Sequence, residues 1–528
     1  MRTLEIVLAL VAFAVVVAIL AERLRTPAPS LLVAAGFAVG LLPGVSAAVD
    51  IPPEFVSLVV LPPLLYAAAT DVSMPEFRLV VRPVLILAIG LVAVSAGVVA
   101  LAVRALVPQV TLSVGLVLGA VLASTDPVAV SALARRLRLP PRLLALVQGE
   151  SLLNDATSLV LFSVAVSVVV AGTTPSAVDV VGQFIWLGGG GALVGLLLGW
   201  VVERLRRRTH DAVLSTVLAL LTPYIVYVLA ESIHTSGVTA VVICGLRLSH
   251  RGDLELRGPV RLHIAHVYAV VIFMLESMVF ALIGLELPAL ARRLPAADQG
   301  ILWVAVAVTA VLILTRVLWI FPTGYLRKLF GIRERVARDE SPWRPLLVLS
   351  WAGTRGVVPL AAALSIPLIR DDGTPFPQRD LVLALAVSCI VLTLLIQGLT
   401  LAPLVKRLNV RTDSAQLEEE KSLALQVIAA TALASIDELV ADDIPASVVE
   451  RLRTELDQRA RQARRHHDRP SGDETSSGDA YRRLRLALLT IESEQLVAMH
   501  EDGRIGESVR REVQRSLDLD EAALRDSR

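Results

Sequence analysis

Ten consecutive residues, Gly149-Glu150-Ser151-Leu152-Leu153-Asn154-Asp155-Ala156-Thr157-Ser158, place two carboxylates, three hydroxyls and an amide inside an apolar run from about Leu143 to Val170. That run is long enough to cross a bilayer, which takes about 20 residues. An ionisable side chain at the centre of a spanning helix costs about 2.5–3.5 kcal/mol on the insertion scale, so two of them need a purpose. Ser151 and Asp155 are four apart, as are Glu150 and Asn154, so each pair shares a helical face. The two faces adjoin as one polar stripe. A packing stripe between helices accounts for hydroxyls and amides, but not for two acids at mid-span. Carboxylate, hydroxyl and amide oxygens together suit a hard cation or a proton. The chemistry is the binding and release of an ion.

Two other stretches break the apolar pattern. Ser124-Thr125-Asp126-Pro127 lies in the run 112–135, where the proline removes a backbone donor and crowds the preceding turn. A helix opened there frees carbonyls that lipid does not tolerate, so a polar cavity must face them. Asp126 stands at the opening, although a plain kink with a capping Asp is the simpler account. Gly353-Thr354-Arg355-Gly356 sets an arginine between glycines in the run 345–370. An arginine at that depth faces a carboxylate or a cavity. Glu150 is the natural partner, since a buried pair costs less than two lone charges. Asp126 and Asp155 are then left without a fixed cation.

The elements that position these residues are membrane helices. The 528 residues are 55% hydrophobic and only 19% charged, with a mean hydropathy of +0.68; a soluble chain carries about 25% charge. Thirteen apolar runs follow one another from 6–20 to 380–405, with charges confined to the gaps until about Leu408. The reading is an all-α polytopic membrane domain over 1–408 and a charged, helical, cytoplasmic, regulatory tail over 409–528, broken by a linker-like stretch over 468–479. Arg23 and Arg25 follow the first run instead of preceding it, so it reads as a retained helix and not a cleaved leader. Alternate connections hold 22 Lys and Arg against 5 in the others, which puts the amino terminus outside and the tail inside. Cys244 and Cys389 fall in apolar runs and read as small core residues. A net charge of +1 implies no bulk attraction to nucleic acid.

Omitting the seventh run leaves two sets of six, opposite in sense. The two breaks, in the fifth and twelfth runs, then take the fifth place of each set. Interrupted helices at matching places of two inverted repeats point to the midplane site of a transporter, where opposed half-helix ends offer partial charges to an ion.

On these residues the chain resembles the bacterial sodium/proton antiporters, in the monovalent cation:proton branch that includes the animal sodium/proton exchangers. The resemblance rests on the Ser124–Pro127 break, on Gly149 to Asp155 and on Thr354-Arg355-Gly356. Leu61-Pro62-Pro63-Leu64-Leu65-Tyr66, Ser236 to Val242 and Leu282 to Leu287 agree with it. It implies two inverted six-helix repeats with crossed, interrupted helices, a core that moves against a dimerisation domain, and a homodimer. It makes Asp155 the carboxylate that binds cation and proton in turn, with Asn154 holding its shape. Thr125, Asp126 and Ser151 complete the oxygen shell of a monovalent cation, and Glu150 with Arg355 forms a structural ion pair. Many relatives carry an acid directly after the Leu-Pro-Pro-Leu-Leu-aromatic sequence; here that place is Ala67, with Asp71 a turn further on.

Burial disfavours the charged form of a carboxylate, so one central acid can trade a proton for a cation. With Asn beside it, one proton exchanges for one monovalent cation and no net charge moves. Na+ is the first choice, and K+/H+ exchange and a cation channel are the rivals. Glu276, at mid-span of the tenth run, either lines the path or bonds a neighbouring helix. His234 at an outer connection reads as an interfacial residue with no role. No nucleophile motif, metal spacing, phosphate loop or cofactor fingerprint appears, so the expectation is a transporter in the cell membrane, not an enzyme, with lipid as its surroundings.

Overall fold

In the computed structural model the described residues are 2–24, 28–42, 56–126, 139–172, 176–209, 211–255, 258–293, 300–329, 343–410, 414–439, 446–468 and 474–501, with scattered positions from 509 to 524. They form two compact units, Met1–Thr412 and Asp413–Arg528. Among them there is no β-strand, only one isolated bridge between Ile369 and Pro375.

The first unit is a helical bundle. Its elements are α1 (Arg2–Leu24), α2 (Ala28–Gly40), α3 (Leu61–Thr70), α4 (Met74–Leu106), α5 (Leu112–Ala123), α6 (Pro141–Ala171) and α7 (Ala177–Arg208). There follow α8 (Ala212–Ser232), α9 (Gly237–Glu255), α10 (Gly258–Arg293), α11 (Ile301–Leu329), α12 (Trp343–Trp351), α13 (Val357–Leu364) and α14 (Arg379–Leu408). Seven helices are long and apolar enough to cross a membrane, and α2, α3, α5 and α9 contain shorter apolar helices. Their outer surface suits lipid: on α7, Trp186, Leu193 and Leu197 are 62%, 70% and 62% exposed. Cys244 and Cys389 are buried and unbridged.

The helix carrying the polar stripe is central. α6 packs on α4, α5, α7 and α9. Its carboxyl end is fastened to the connection after α13: Arg370 Nε donates to the Val169 carbonyl at 3.1 Å, and the Asp371 amide donates to that of Val170 at 3.4 Å. That satisfies carbonyls a helix terminus leaves open. Gly172 turns the chain away at φ +65°, the left-handed position that ends many helices. In the same connection, outside the helices, Thr374 hydroxyl and amide donors hold the Asp372 carboxyl below its usual range.

The chain leaves the helix at both expected breaks. α5 stops at Ala123, where Ser124 turns extended, and Thr125 and Asp126 are non-helical; Pro127 and the remainder of that run lie outside the described residues. The run 345–370 is not one helix but α12, an extended stretch Ala352–Gly356, and α13, with no helix beyond Leu364. Arg135, Arg136, Arg138, Arg333, Arg335 and Arg338, which carry part of the orientation pattern, also fall outside the described residues.

The second unit contains α15 (Ser414–Leu439), α16 (Ala446–Asp468) and α17 (Glu474–Glu501). The linker expected over 468–479 is shorter than its composition suggested: Asp468 still closes α16, and Glu474 already opens α17.

Small residues let helices approach closely. A Cβ on Gly284 of α10 would lie 2.3 Å from the Val33 carbonyl oxygen of α2. Gly284→Val therefore forces α2 and α10 apart. Overpacking of this kind costs about 1–3 kcal/mol, so thermal unfolding in detergent should shift down by several degrees, whereas Gly188→Ala, with nothing within 4 Å of its Cβ, should leave it unchanged.

Candidate ion-binding site

The extended segments cross and bond reciprocally. The Asp126 amide donates to the Thr354 carbonyl at 2.7 Å, and the Thr354 hydroxyl donates to the Asp126 carbonyl at 2.9 Å. Each chain thus takes up polar groups that the other's missing helix leaves open. Gly356 makes this approach possible: a Cβ there would lie 1.5 Å from Asp126 Oδ2. The Asp126 carboxylate accordingly sits at the start of α13, where helix amides present partial positive charge.

The stripe of α6 faces this crossing. The Ser124 hydroxyl bonds Asp155 Oδ1. The Ser151 hydroxyl donates to the Thr125 carbonyl at 2.6 Å, and Asn154 Nδ2 to the Thr125 hydroxyl at 3.3 Å. Ser151, Asn154 and Thr125 are buried, and Asp155 is only 6% exposed. Asn154 Oδ1 is buried with no hydrogen-bond partner among the described residues. Asp126 and Arg355 are the charged groups that act on Asp155. The structure therefore brings together Asp155, Asn154, Asp126, Thr125 and Ser151 as one cluster of oxygens. Glu276 of α10 is half-buried and within electrostatic range of Asp126. Asp71 is exposed at the end of α3, and Ala67 leaves no carboxylate at the place before it.

The expected ion pair of Glu150 with Arg355 is corrected. Glu150 pairs through both oxygens with Arg316 of α11, by Nη1 and, at 2.9 Å, by Nη2. Arg316 also reaches the Leu349 carbonyl with Nη2 at 3.1 Å, at the carboxyl end of α12. Arg355 turns to backbone instead, donating from Nε to the Leu122 carbonyl at 2.6 Å and from Nη1 to that of Gly353. The physical reason is the same for both arginines. Each broken helix ends in open carbonyls with partial negative charge, and each arginine covers one such end. Only Arg316 has α6 within fork reach as well.

Three contributors escaped the sequence reading. Ser124 was visible in the break but had no assigned partner. Thr354 was noted only as a neighbour of Arg355. Arg316 is an arginine at the middle of the apolar run 301–329, the same signal that singled out Arg355.

A cavity of about 300 Å³ opens on the Asp155 face of α6, lined there by Leu159 and Phe162, which follow Asp155 by four and seven residues. Leu61, Ser365, Glu231 and His234 also line it.

A multi-pass helical membrane protein with buried oxygens gathered where two non-helical segments cross has the build of a secondary ion transporter. The chain belongs to the sodium/hydrogen exchanger family, whose transmembrane profile matches residues 10–407. It is 35% identical to an uncharacterized Na(+)/H(+) exchanger of Mycobacterium tuberculosis, over 99% of this chain and 96% of that one. It is 31% identical to the sodium, potassium, lithium and rubidium/H(+) antiporter of Bacillus subtilis, over 64% of this chain and 52% of that one. The fold is similar to that of the sodium proton antiporter MjNhaP1 from Methanocaldococcus jannaschii, with a TM-score of 0.62 and 22% identity, covering 77% of this chain and 99% of that one.

Removing one member of a buried ion pair costs about 3–5 kcal/mol, because the other charge remains. Losing a charge-assisted hydrogen bond costs about 1.5–3 kcal/mol. Arg316→Ala should therefore lower the melting temperature in detergent more than Arg355→Ala, and Glu150→Gln in the Arg316→Gln background should recover part of the loss. A larger effect from Arg355→Ala would refute the pairing described here.

Proposed function

We propose that the protein exchanges a monovalent cation, first of all Na+, for H+ across the cell membrane by alternating access, one for one and without net charge movement. The observation that carries this reading is Asp155: one buried carboxylate, met by the Ser124 hydroxyl and flanked by the unpartnered Asn154 Oδ1. Asp155 holds either the proton or the cation. Asp126, Thr125 and Ser151 supply further oxygens, by side chain or carbonyl, and Asn154 holds the shape while offering its amide oxygen. Hard cations take oxygen ligands of this kind. Glu150 keeps a structural part, with Arg316 as its partner. Glu276 lies beside the path at Asp126.

In this reading thirteen helices form two inverted six-helix repeats, α7 standing between them, with the interrupted α5 and the α12–α13 pair at matching places. The amino terminus is outside and the tail is cytoplasmic. The protein acts as a homodimer in lipid. Leu159 and Phe162 separate Asp155 from Glu231 and His234 and serve as the closed barrier on that side. A second reading, K+ for H+, is supported by the Bacillus subtilis relative, which is named for four alkali cations.

The test is proton flux in proteoliposomes with Na+, Li+ or K+ added in turn. Wild type should dissipate an imposed pH gradient with at least one of them, at a rate that does not change with imposed voltage. Asp155→Asn should abolish the response to every cation. Proton and cation compete for one site, so the apparent KM for the cation should rise as pH falls, approaching about tenfold per pH unit in the acid limit. A cation-dependent current without proton movement would identify a channel instead.

A further inference from the structure

The cavity beyond Leu159 and Phe162 holds a carboxylate that the exchange at Asp155 does not use. Glu231 stands in the last turn of α8, exposed, in the cavity wall. Its Oε1 accepts from the Gly237 amide, the first of α9, at 2.9 Å. Its carbonyl accepts from the His234 amide at 3.0 Å, in a turn where His234 takes a φ of +56°. The carboxylate is thus held against α9 by one oxygen. Oε2 makes no hydrogen bond among the described residues.

The hydroxyls of the same wall are set for a cation. Ser163 donates to the Leu159 carbonyl at 2.9 Å, Thr235 to that of Ala230 at 3.0 Å and Ser365 to that of Ala362 at 2.8 Å. A hydroxyl that has given its hydrogen to backbone has only lone pairs left to offer. Hard cations take oxygens of this kind. No lysine or arginine is among the described residues that line the cavity, and its other titratable side chains are Tyr227 and His234. Arg379 bonds the Ile366 carbonyl at 2.9 Å, beside Ser365, and is not itself in the wall.

We propose that Glu231 is the cation-receiving residue of this cavity, its free oxygen holding a hydrated Na+ or K+ before the Leu159–Phe162 barrier on the way to Asp155. The inference rests on the exchange reading and on its orientation, which puts the end of α8 outside. A fixed negative charge there raises the local concentration of cations. It therefore acts on apparent affinity from one face and leaves the maximum rate alone. The plainer role, a cap for α9, needs an acceptor oxygen but no charge. An amide supplies that oxygen, so Glu231→Gln separates the two roles.

The experiment measures cation-driven proton flux in right-side-out and everted vesicles carrying the full chain, at alkaline pH on the cation side, where protons compete least. Wild-type flux with Na+, or with K+ if Na+ is not carried, tests the exchange reading; the variants test Glu231. Glu231→Gln should raise the outer KM for the cation several-fold, with the inner KM, the maximum rate and the melting temperature in detergent unchanged. His234→Lys, which adds the opposite charge without touching the cap, should raise the outer KM as well. Choline chloride screens exposed charges, so it should bring the wild-type outer KM up toward that of Glu231→Gln. An outer KM unmoved by either variant overturns the proposal. So does an equal rise from both faces, a rise from the inner face alone, or a lost maximum rate or melting temperature with KM unmoved, which would leave Glu231 as a cap.

Discussion

Inside a bilayer a backbone group without a partner costs several kcal/mol, and that constraint shapes the middle of this protein. Leaving the helix at Ser124 and again at Ala352 opens backbone carbonyls and amides at both places. Neither interruption is tolerable alone. Brought together, the segments satisfy each other through the Asp126 amide and the Thr354 carbonyl, and through the Thr354 hydroxyl and the Asp126 carbonyl. The remaining helix ends are covered by Arg316 and Arg355. Oxygen-rich, non-helical backbone therefore exists at membrane depth only because two breaks and two arginines occur together.

α6 is what joins this crossing to the surrounding bundle. Glu150 anchors it to α11 through Arg316, while Ser151, Asn154 and Asp155, within the next turn and a half, face Thr125 and Ser124. One helix thus carries an anchoring acid and a second acid that no arginine fork neutralises. In the proposed exchange this separation has a mechanistic use. A carboxylate held by a bidentate guanidinium keeps a fixed charge, and it cannot trade a proton for a cation without breaking that pair. Asp155, bonded to a neutral hydroxyl, has no such commitment.

Much of this was legible in the sequence, because lipid penalises charge so heavily that each polar residue in an apolar run stands out. The stripe Glu150–Asp155 and both breaks were found on that rule, and the glycines at 353 and 356 marked the place where chains approach closely. The pairing of Glu150 was misjudged for a reason that sequence patterns cannot remove. Periodicity assigns a residue to a face of its own helix, whereas the choice between two arginines on different helices depends on how those helices cross. Arg316 carried the same warning as Arg355 but was hidden by an otherwise uniform apolar run. Where α5 stops was also beyond pattern: Ser124 leaves the helix because Asp155 and the crossing segment offer partners that only the fold supplies. In the tail, where charge is dense and no apolar run sets it off, composition suggested a linker at Glu474 that is already helix.

The corrected pairing bears on the movement that the proposed exchange requires. Had Arg355 been fixed to Glu150, the crossing segment and α6 would share one strong charge-charge bond, and any shift of one against the other would expose a buried ion. As built, the Arg355 guanidinium bonds carbonyls of α5 and of its own segment, while its amide donates to the Thr393 hydroxyl of α14 at 3.3 Å. Arg316 ties α6 and α12 to α11. The charged contacts thus join α5, α6, α11 and α12. In the proposed alternating access, a group of this composition tilts against its neighbours without separating the Glu150–Arg316 pair, and the cost of the tilt falls on apolar surfaces, which slide at little expense because each position replaces one hydrocarbon contact with another.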